Sequence, residues 1–262
     1  MISFVIPAHN EEACLAATLD ALLRAARQVG LPYEVIVVND ASTDRTGAIA
    51  RERGVRVVDV QHRLIAATRN SGARAAHGEV LFFVDADTEA SAEAVRAGLD
   101  ALQQGAVGGG CVFRYNGPVP WWAHIVLPIG TRLSRRLKLI GGCFLFCPRS
   151  EFEAVGGFRE QYYAAEDVVF VRALKSRGRF VIPRVAVLTS NRKVRDITLW
   201  RALRELCRFV VGGPEAYRSR EGLDLWYGRE ARDPPAGGGG ANGSQPIPPE
   251  TNGTSAAAGS RR

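Results

Sequence analysis

The chain has 262 residues, 46% of them hydrophobic, enough for one sizeable core or a core with an attached lobe. It holds no run of eighteen apolar residues, and "MISFVIPAHN" lacks a basic leader, so neither a membrane-spanning helix nor a signal peptide is expected. A formal charge of +7, mostly arginine, suits nucleic acid, anionic lipid or a phosphorylated substrate; without an RNA-binding aromatic motif or a helix-turn-helix pattern, composition leaves that choice open.

The first hundred residues alternate strand and helix signals. "ISFVIP" is an apolar strand stopped by Pro7, and "NEEACLAATLDALLRAARQVG" follows with leucines at helical spacing, Asn10 as a cap, and Glu11 and Glu12 suited to its first turn. "YEVIVVND" predicts a second strand, "STDRTGAIARERG" a second helix ending at Gly54, "VRVVDV" a third strand, "IAATRNSGARAAHG" a third helix and "EVLFFVDAD" a fourth strand. Such alternation implies a mostly parallel sheet covered on both faces, with a ligand crevice beyond the carboxyl ends of its strands. Polar residues follow the first strand (Ala8 to Glu11), the second (Asp40, Ser42, Asp44) and the fourth (Asp85, Asp87), so all should gather on one sheet edge.

Asp85 and Asp87 carry the sharpest question. One alanine separates them, and they point the same way if the strand continues through them. Two carboxylates that close repel, so the pair is either a solvated turn before a helix starting near Ser91 or a cation holder.

Beyond residue 105 the pattern loosens. "GGCFLFCPR" reads as a strand, "RSEFEAVGGF" as a short helix with a Gly-Gly stop, "AEDVVFVRALKSRG" as a helix opening on Glu166 and Asp167, and "RFVIPRVAVLTS" as strands broken by Pro183. "DITLWRALRELCRFVVGG" is an amphipathic helix that groups Trp200, Leu203, Leu206 and Phe209. Residues 229–262, rich in Pro, Gly, Ser and Ala, are expected to be disordered. The five cysteines are scattered, and Cys143 and Cys147 lack zinc-knuckle spacing, which favours buried free thiols in a reducing cytoplasm.

"VIPAHNEE", "VVNDASTDRT", "ATRNSGARAAHGEVLFFVDAD" and "GGFREQYYAAEDVVFVRAL" together resemble the ordered motifs of family-two inverting glycosyltransferases, across residues 2 to 190. The resemblance implies a GT-A-like (Rossmann-like) α/β fold with a mostly parallel central sheet flanked by helices, a smaller acceptor-side region and a C-terminal helix. It implies a nucleotide-sugar half over 1–110 and an acceptor half with the C-terminal helix over 111–228. By the same resemblance, Asp87, with Asp85, would hold Mn²⁺ or Mg²⁺, and Asp85 would also face the ribose. Pro7, Ala8, Asn10, Glu11, Asp40 and Arg69 would line the site of a UDP- or GDP-linked sugar. Asp167 would be the general base, with Glu166 orienting base or acceptor. Where the family usually has Asp-Asp-Gly-Ser, this chain has Asn39-Asp40-Ala41-Ser42. The Gln-x-x-Arg-Trp motif and membrane helices of processive synthases are absent; "TSNRKVR" takes that region, with Arg192 a candidate diphosphate contact. Transfer of a single sugar is therefore expected, to an unknown acceptor. The alternatives are a nucleotide-sugar-binding protein without transfer and a nucleotidyltransferase-like enzyme, although "PAHNEE" lacks the glycine a phosphate loop would want. Residues 119–140 mix tryptophans, aliphatics and cations, which suits either peripheral contact with the inner face of an anionic membrane or a lipid-linked acceptor, or a plain acceptor lobe.

Overall fold

The computed structural model describes residues 1–138, 142–195, 197–219 and 223, with the side chains of residues 134, 137, 193, 205, 206, 209 and 210 not described. The expected disordered tail at 229–262, and the side chains of Leu206 and Phe209, lie outside these residues.

The first half winds as β1 (Ile2–Ala8), α1 (Leu15–Val29), β2 (Tyr33–Asp40), α2 (Thr46–Glu52), β3 (Arg56–Val60), α3 (Ile65–Ala75) and β4 (Val80–Val84). After β5 (Thr88–Glu89) come α4 (Ala92–Gln103), β6 (Gly108–Gly110), β7 (Val112–Asn116) and α5 (Ala123–Leu137). The remainder is β8 (Phe144–Pro148), α6 (Arg149–Val155), α7 (Glu166–Arg177), β9 (Phe180–Val181), β10 (Ala186–Ser190), α8 (Arg192–Arg195), α9 (Leu199–Gly212) and a 3₁₀ turn at Gly213–Tyr217.

Seven strands form the main sheet in the order β3-β2-β1-β4-β8-β6-β9. β1 to β4 run parallel, while β8 runs antiparallel to both β4 and β6. The strands on β1's two sides are reached in opposite directions along the order, which makes the β1/β4 boundary the switch point where such sheets open a crevice. Both faces are buried, as the unbroken apolar strands predict. Phe4, Ile6, Val35, Val37, Phe82 and Val84 face α1 and α4. Val5, Ile36, Val38, Leu81 and Phe83 face α3, α6 and α7. On α3, Gly72 lets the helix approach so closely that a Cβ there would lie 2.3 Å from Val5 Cγ1. That approach seats Arg69, one turn earlier, deep beside the sheet edge.

A second sheet, β5-β10-β7, stands against the end of β4. It pairs Thr88–Glu89 with β10, and Ser190 donates its backbone N–H to Asp87 O at 3.0 Å. The main sheet therefore draws strands from both sides of residue 110.

Two local expectations need correction. Helix α1 begins at Leu15 without a side-chain cap, not at Asn10. Asn10 sits at φ 51° and spends its side-chain oxygen on the Thr43 N–H, so residues 9–14 form a loop braced against residues 42–46. The thiols differ too: all five are free, but only Cys111, Cys143 and Cys147 are buried, while Cys14 is half-buried and Cys207 exposed.

Candidate active site

A cavity of about 140 Å³ opens at the switch point, lined by Pro7 and Ala8 at the end of β1 with His9 and Glu11 beyond it, Asp40 at the end of β2, Arg63 to Ile65 and Thr68 around the start of α3, and Asp85 to Asp87 after β4. Parallel strands deliver these residues together because each ends on the same sheet edge. Of the expected nucleotide-sugar residues, Pro7, Ala8, Glu11, Asp40 and Asp85 line it, joined by the metal candidate Asp87. Asn10 is not in that lining, and Arg69 lies behind the wall, where its side chain is 2% exposed.

Asp40 is buried and fully engaged. Its carboxylate accepts the backbone N–H groups of His62, Arg63 and Leu64 at 2.7, 2.8 and 3.2 Å and the Thr68 hydroxyl at 2.7 Å. His9 Nδ1 lies 2.6 Å from the Asp40 carbonyl oxygen. One side chain thus fixes the 62–64 loop, whose Arg63 and Leu64 line the cavity. Sequence reasoning missed Leu64, Ile65 and Thr68; a hydroxyl one turn into α3 was their only signal.

Asn39 turns the other way. It faces Asp59 in the β2/β3 register and donates Nδ2–H to Asp59 Oδ1 at 2.7 Å. An aspartate there would set like charges directly opposite, whereas Asn39 supplies Asp59 with a donor.

Strand geometry does not persist through Asp85-Ala86-Asp87. The chain turns, with Thr88 N–H donating to Asp85 O at 3.0 Å, and the helix that follows is capped by Ser91 accepting from Ala94 N–H. The two carboxylates consequently part. Asp85 Oδ1 accepts from Arg69 Nη2 at 2.8 Å. Asp87 is 9% exposed and sits 3.4 Å from the Thr189 hydroxyl and 3.9 Å from Arg192 Nη2. Arg192 also pairs with Glu11, so the start of α8 bridges across to the β1 edge.

Arg69 ties the cavity to the start of α7. Its Nη1 donates to Glu166 Oε1 at 2.6 Å, its Nη2 reaches Asp85 and the Gly142 carbonyl at 3.2 Å, and its guanidinium lies 5.1 Å over the Phe158 ring. The next residue, Asn70, clamps Phe158 by both its N–H and its carbonyl. Asp167 accepts Gly142 N–H at 2.6 Å and Val168 N–H at 2.7 Å. Two carboxylates, Asp85 and Glu166, therefore share one guanidinium, whose charge Asp167 also feels. Burial raises the Glu166 carboxyl well above the usual range, with the Asp167 charge next, and burial likewise raises Asp167 against the pull of Arg69.

Strain collects at this edge. Asn10, Ala41, Arg63 and Ala165 all have positive φ, Ala165 immediately before Glu166. Ala41, at φ 51°, occupies the place where a glycine is more usual. A left-handed alanine costs about 1–2 kcal/mol, partly offset by glycine's greater entropy loss. Ala41→Gly is expected to raise stability by about 0.5–1 kcal/mol, read as a higher urea midpoint; a lower midpoint would show that Ala41 packs rather than strains.

As for metal, Asp87 offers the cavity hard carboxylate oxygens of the kind Mg²⁺ and Mn²⁺ take, and among the described residues no cluster of three or more His, Cys, Asp or Glu could hold an ion alone. That donor set fits a cation completed by a ligand's phosphates.

A parallel sheet with an acidic turn at its switch point, continued by an antiparallel strand and a small second sheet, is the GT-A architecture. The chain belongs to glycosyl transferase family 2, whose family model matches residues 3–150. It is similar to mannosyltransferase PcManGT from Pyrobaculum calidifontis in complex with GDP-Man and Mn²⁺, at 22% identity and a TM-score of 0.63, over 78% of this chain and 60% of that one. It is also similar to TarS from S. aureus in complex with UDP, at 21% identity and a TM-score of 0.56, over 72% and 60%. Among curated relatives, validoxylamine A glucosyltransferase from Streptomyces hygroscopicus subsp. limoneus is 29% identical over 68% of this chain and 48% of that protein. Undecaprenyl-phosphate 4-deoxy-4-formamido-L-arabinose transferase from Pectobacterium carotovorum subsp. carotovorum is 32% identical over 40% and 34%. The chain thus spans about half or less of the length of these curated relatives.

Proposed function

We propose that this chain transfers a single sugar from a UDP- or GDP-linked donor to an acceptor hydroxyl, with inversion and with a divalent metal ion. The observation that carries the reading is the Arg69 bridge, which joins Asp85 on the cavity to Glu166, next to Asp167. A donor-binding edge and a proton acceptor are thereby coupled through one buried guanidinium. Pro7, Ala8 and Glu11 border the nucleotide, Asp40 shapes its wall through residues 62–64, and Asn10 braces the loop that carries Glu11. Asp87, with Asp85, would hold Mn²⁺ or Mg²⁺. When bound, the ion neutralises charge on the departing diphosphate.

The step is one in-line displacement. The acceptor oxygen bonds to the anomeric carbon as the bond from that carbon to the diphosphate breaks, and the hydroxyl proton passes to Asp167. Each Asp167 oxygen accepts one backbone N–H and keeps a second lone pair for that proton. Burial raises its affinity for protons above that of an exposed aspartate, which makes it a stronger base. Arg69 holds Glu166 and Asp85 in place, and Arg192 is positioned by Glu11 and Asp87 to meet the diphosphate.

The donor half is tested by thermal shift with nucleoside-diphosphate sugars, with and without Mn²⁺. At a hundredfold excess over the dissociation constant, the cognate donor should add about 2.7 kcal/mol of stability only when metal is present. Asp87→Ala should remove the metal-dependent part. Equal stabilisation in EDTA would sink the metal assignment.

A further inference from the structure

We propose that α5 and α9 together form a docking surface for an anionic lipid bilayer. Along α5 and the turn before it, Trp121, Ile125, Ile129 and Leu133 recur every fourth residue and are 71%, 60%, 60% and 53% exposed. At 100° per residue they fall, with the exposed Val126, within one side of the helix. Helix α9 repeats the arrangement with Trp200, Leu203 and Val211, exposed at 81%, 43% and 84%. The inner sides of the two helices share a small core of Trp122, Ala123, Leu127, Leu199 and Ala202. They therefore belong to one lobe whose apolar outer sides have no cover among the described residues. Monomers rarely leave so much aliphatic and tryptophan surface to water without a partner.

Charge selects the partner. Residues 101–150 contain no aspartate or glutamate. Arg132 and Arg136 are exposed and fall on the same side of α5 as the apolar stripe, with Lys138 exposed at its end, and Arg204 is exposed on α9. A second copy of this face would set those cations against each other, with no acid on α5 and Glu205 the single acid in the α9 sequence. Anionic headgroups would pair them, while tryptophans settle at the interface and arginines keep their heads in the headgroup layer. The lobe borders the site twice: Gly142 is held by Asp167 and Arg69, and α8, just before α9, carries Arg192, which pairs with the cavity residues Glu11 and Asp87. A bilayer on α5 and α9 would thus present acceptors to the Asp167 side of the site.

The test uses the full chain and vesicles of phosphatidylcholine, alone or mixed with phosphatidylglycerol. Flotation should require the anionic lipid and weaken as salt rises. Ile129→Glu, Trp200→Glu and the double change Arg132→Glu with Arg136→Glu should each lower the partition coefficient by about tenfold or more, with unchanged melting, because these side chains are exposed. Equal binding to neutral vesicles, or full binding by all three variants, overturns the proposal. So does gel filtration in which Ile129→Glu dissolves a dimer while flotation persists, which would hand the face to a second copy. Metal-dependent donor stabilisation is read separately, so failure of the surface and failure of the catalytic reading are distinguishable.

Discussion

Asp167→Asn is expected to lower turnover by about 10²–10⁴-fold while donor affinity stays nearly constant. Asparagine keeps the size of aspartate but cannot take the acceptor's proton. It is less conservative here than it looks. The two Asp167 oxygens each accept a backbone N–H, from Gly142 and Val168, and an amide has only one oxygen to offer. One N–H then loses its acceptor, costing about 1–3 kcal/mol. Turnover must accordingly be measured below the variant's melting range, beside donor affinity by calorimetry. Glu166→Gln keeps an oxygen toward Arg69 and should lose less turnover. Donor hydrolysis is the poorer assay, since water is not held by the acceptor contacts that align a hydroxyl with the base. Near-normal transfer by Asp167→Asn would move the base elsewhere, with Glu166 next in line.

Arg69→Met should be the most destabilising single change at the site, by about 3–5 kcal/mol near neutral pH. It removes the one guanidinium bonded to Asp85 and Glu166 among the described residues and leaves buried Glu166 and partly buried Asp85 without that cation. The pH dependence follows from sign. Glu166 and Asp167 already bind protons more tightly in the folded state than an exposed carboxyl does, and losing Arg69 strengthens that tendency. The folded variant then holds more protons than the unfolded chain, so its stability falls as pH rises through the raised values and recovers as pH drops toward the ordinary carboxyl range. Urea unfolding near pH 5.5 and pH 7.5 should show the larger penalty at the higher pH. A penalty independent of pH would mean that the carboxylates are solvated rather than held by Arg69. Donor binding should weaken as well, because Asp85 loses the partner that aims it.

The carboxylate-bearing edge was legible because it rests on order alone. Short apolar strands alternating with helices force parallel pairing, and parallel pairing puts every strand's carboxyl end on one side. The helix opening at Glu166, the Gly-Gly stop at Gly156 and Gly157, and the break near Pro183 were legible for a similar reason, since each depends on residues a few positions apart. What could not be read depends on distant partners. Glu166 meets Arg69 across 97 positions. Asn39 lies opposite Asp59 only through the β2/β3 register, and Asp40 is consumed by a loop more than twenty residues later. The parting of Asp85 and Asp87 was hidden too, because Arg69 and the second sheet draw them to different neighbours.

The second sheet has a consequence for engineering. Its central strand, β10, is hydrogen-bonded to β7 on one side and to β5, directly after Asp87, on the other. A chimera that imported only the 111–138 segment from a relative would place a foreign β7 beside a native β10 and strain the turn at Asp87. Exchanging β7–α5 and β10–α9 together, with β5 kept, confines the foreign-to-native pairing within that sheet to β5 and β10, while Arg192 of α8 must be retained to meet Glu11 and Asp87. Crossovers drawn there, with Arg192 retained, are the ones expected to keep the second sheet paired and the turn at Asp87 in place.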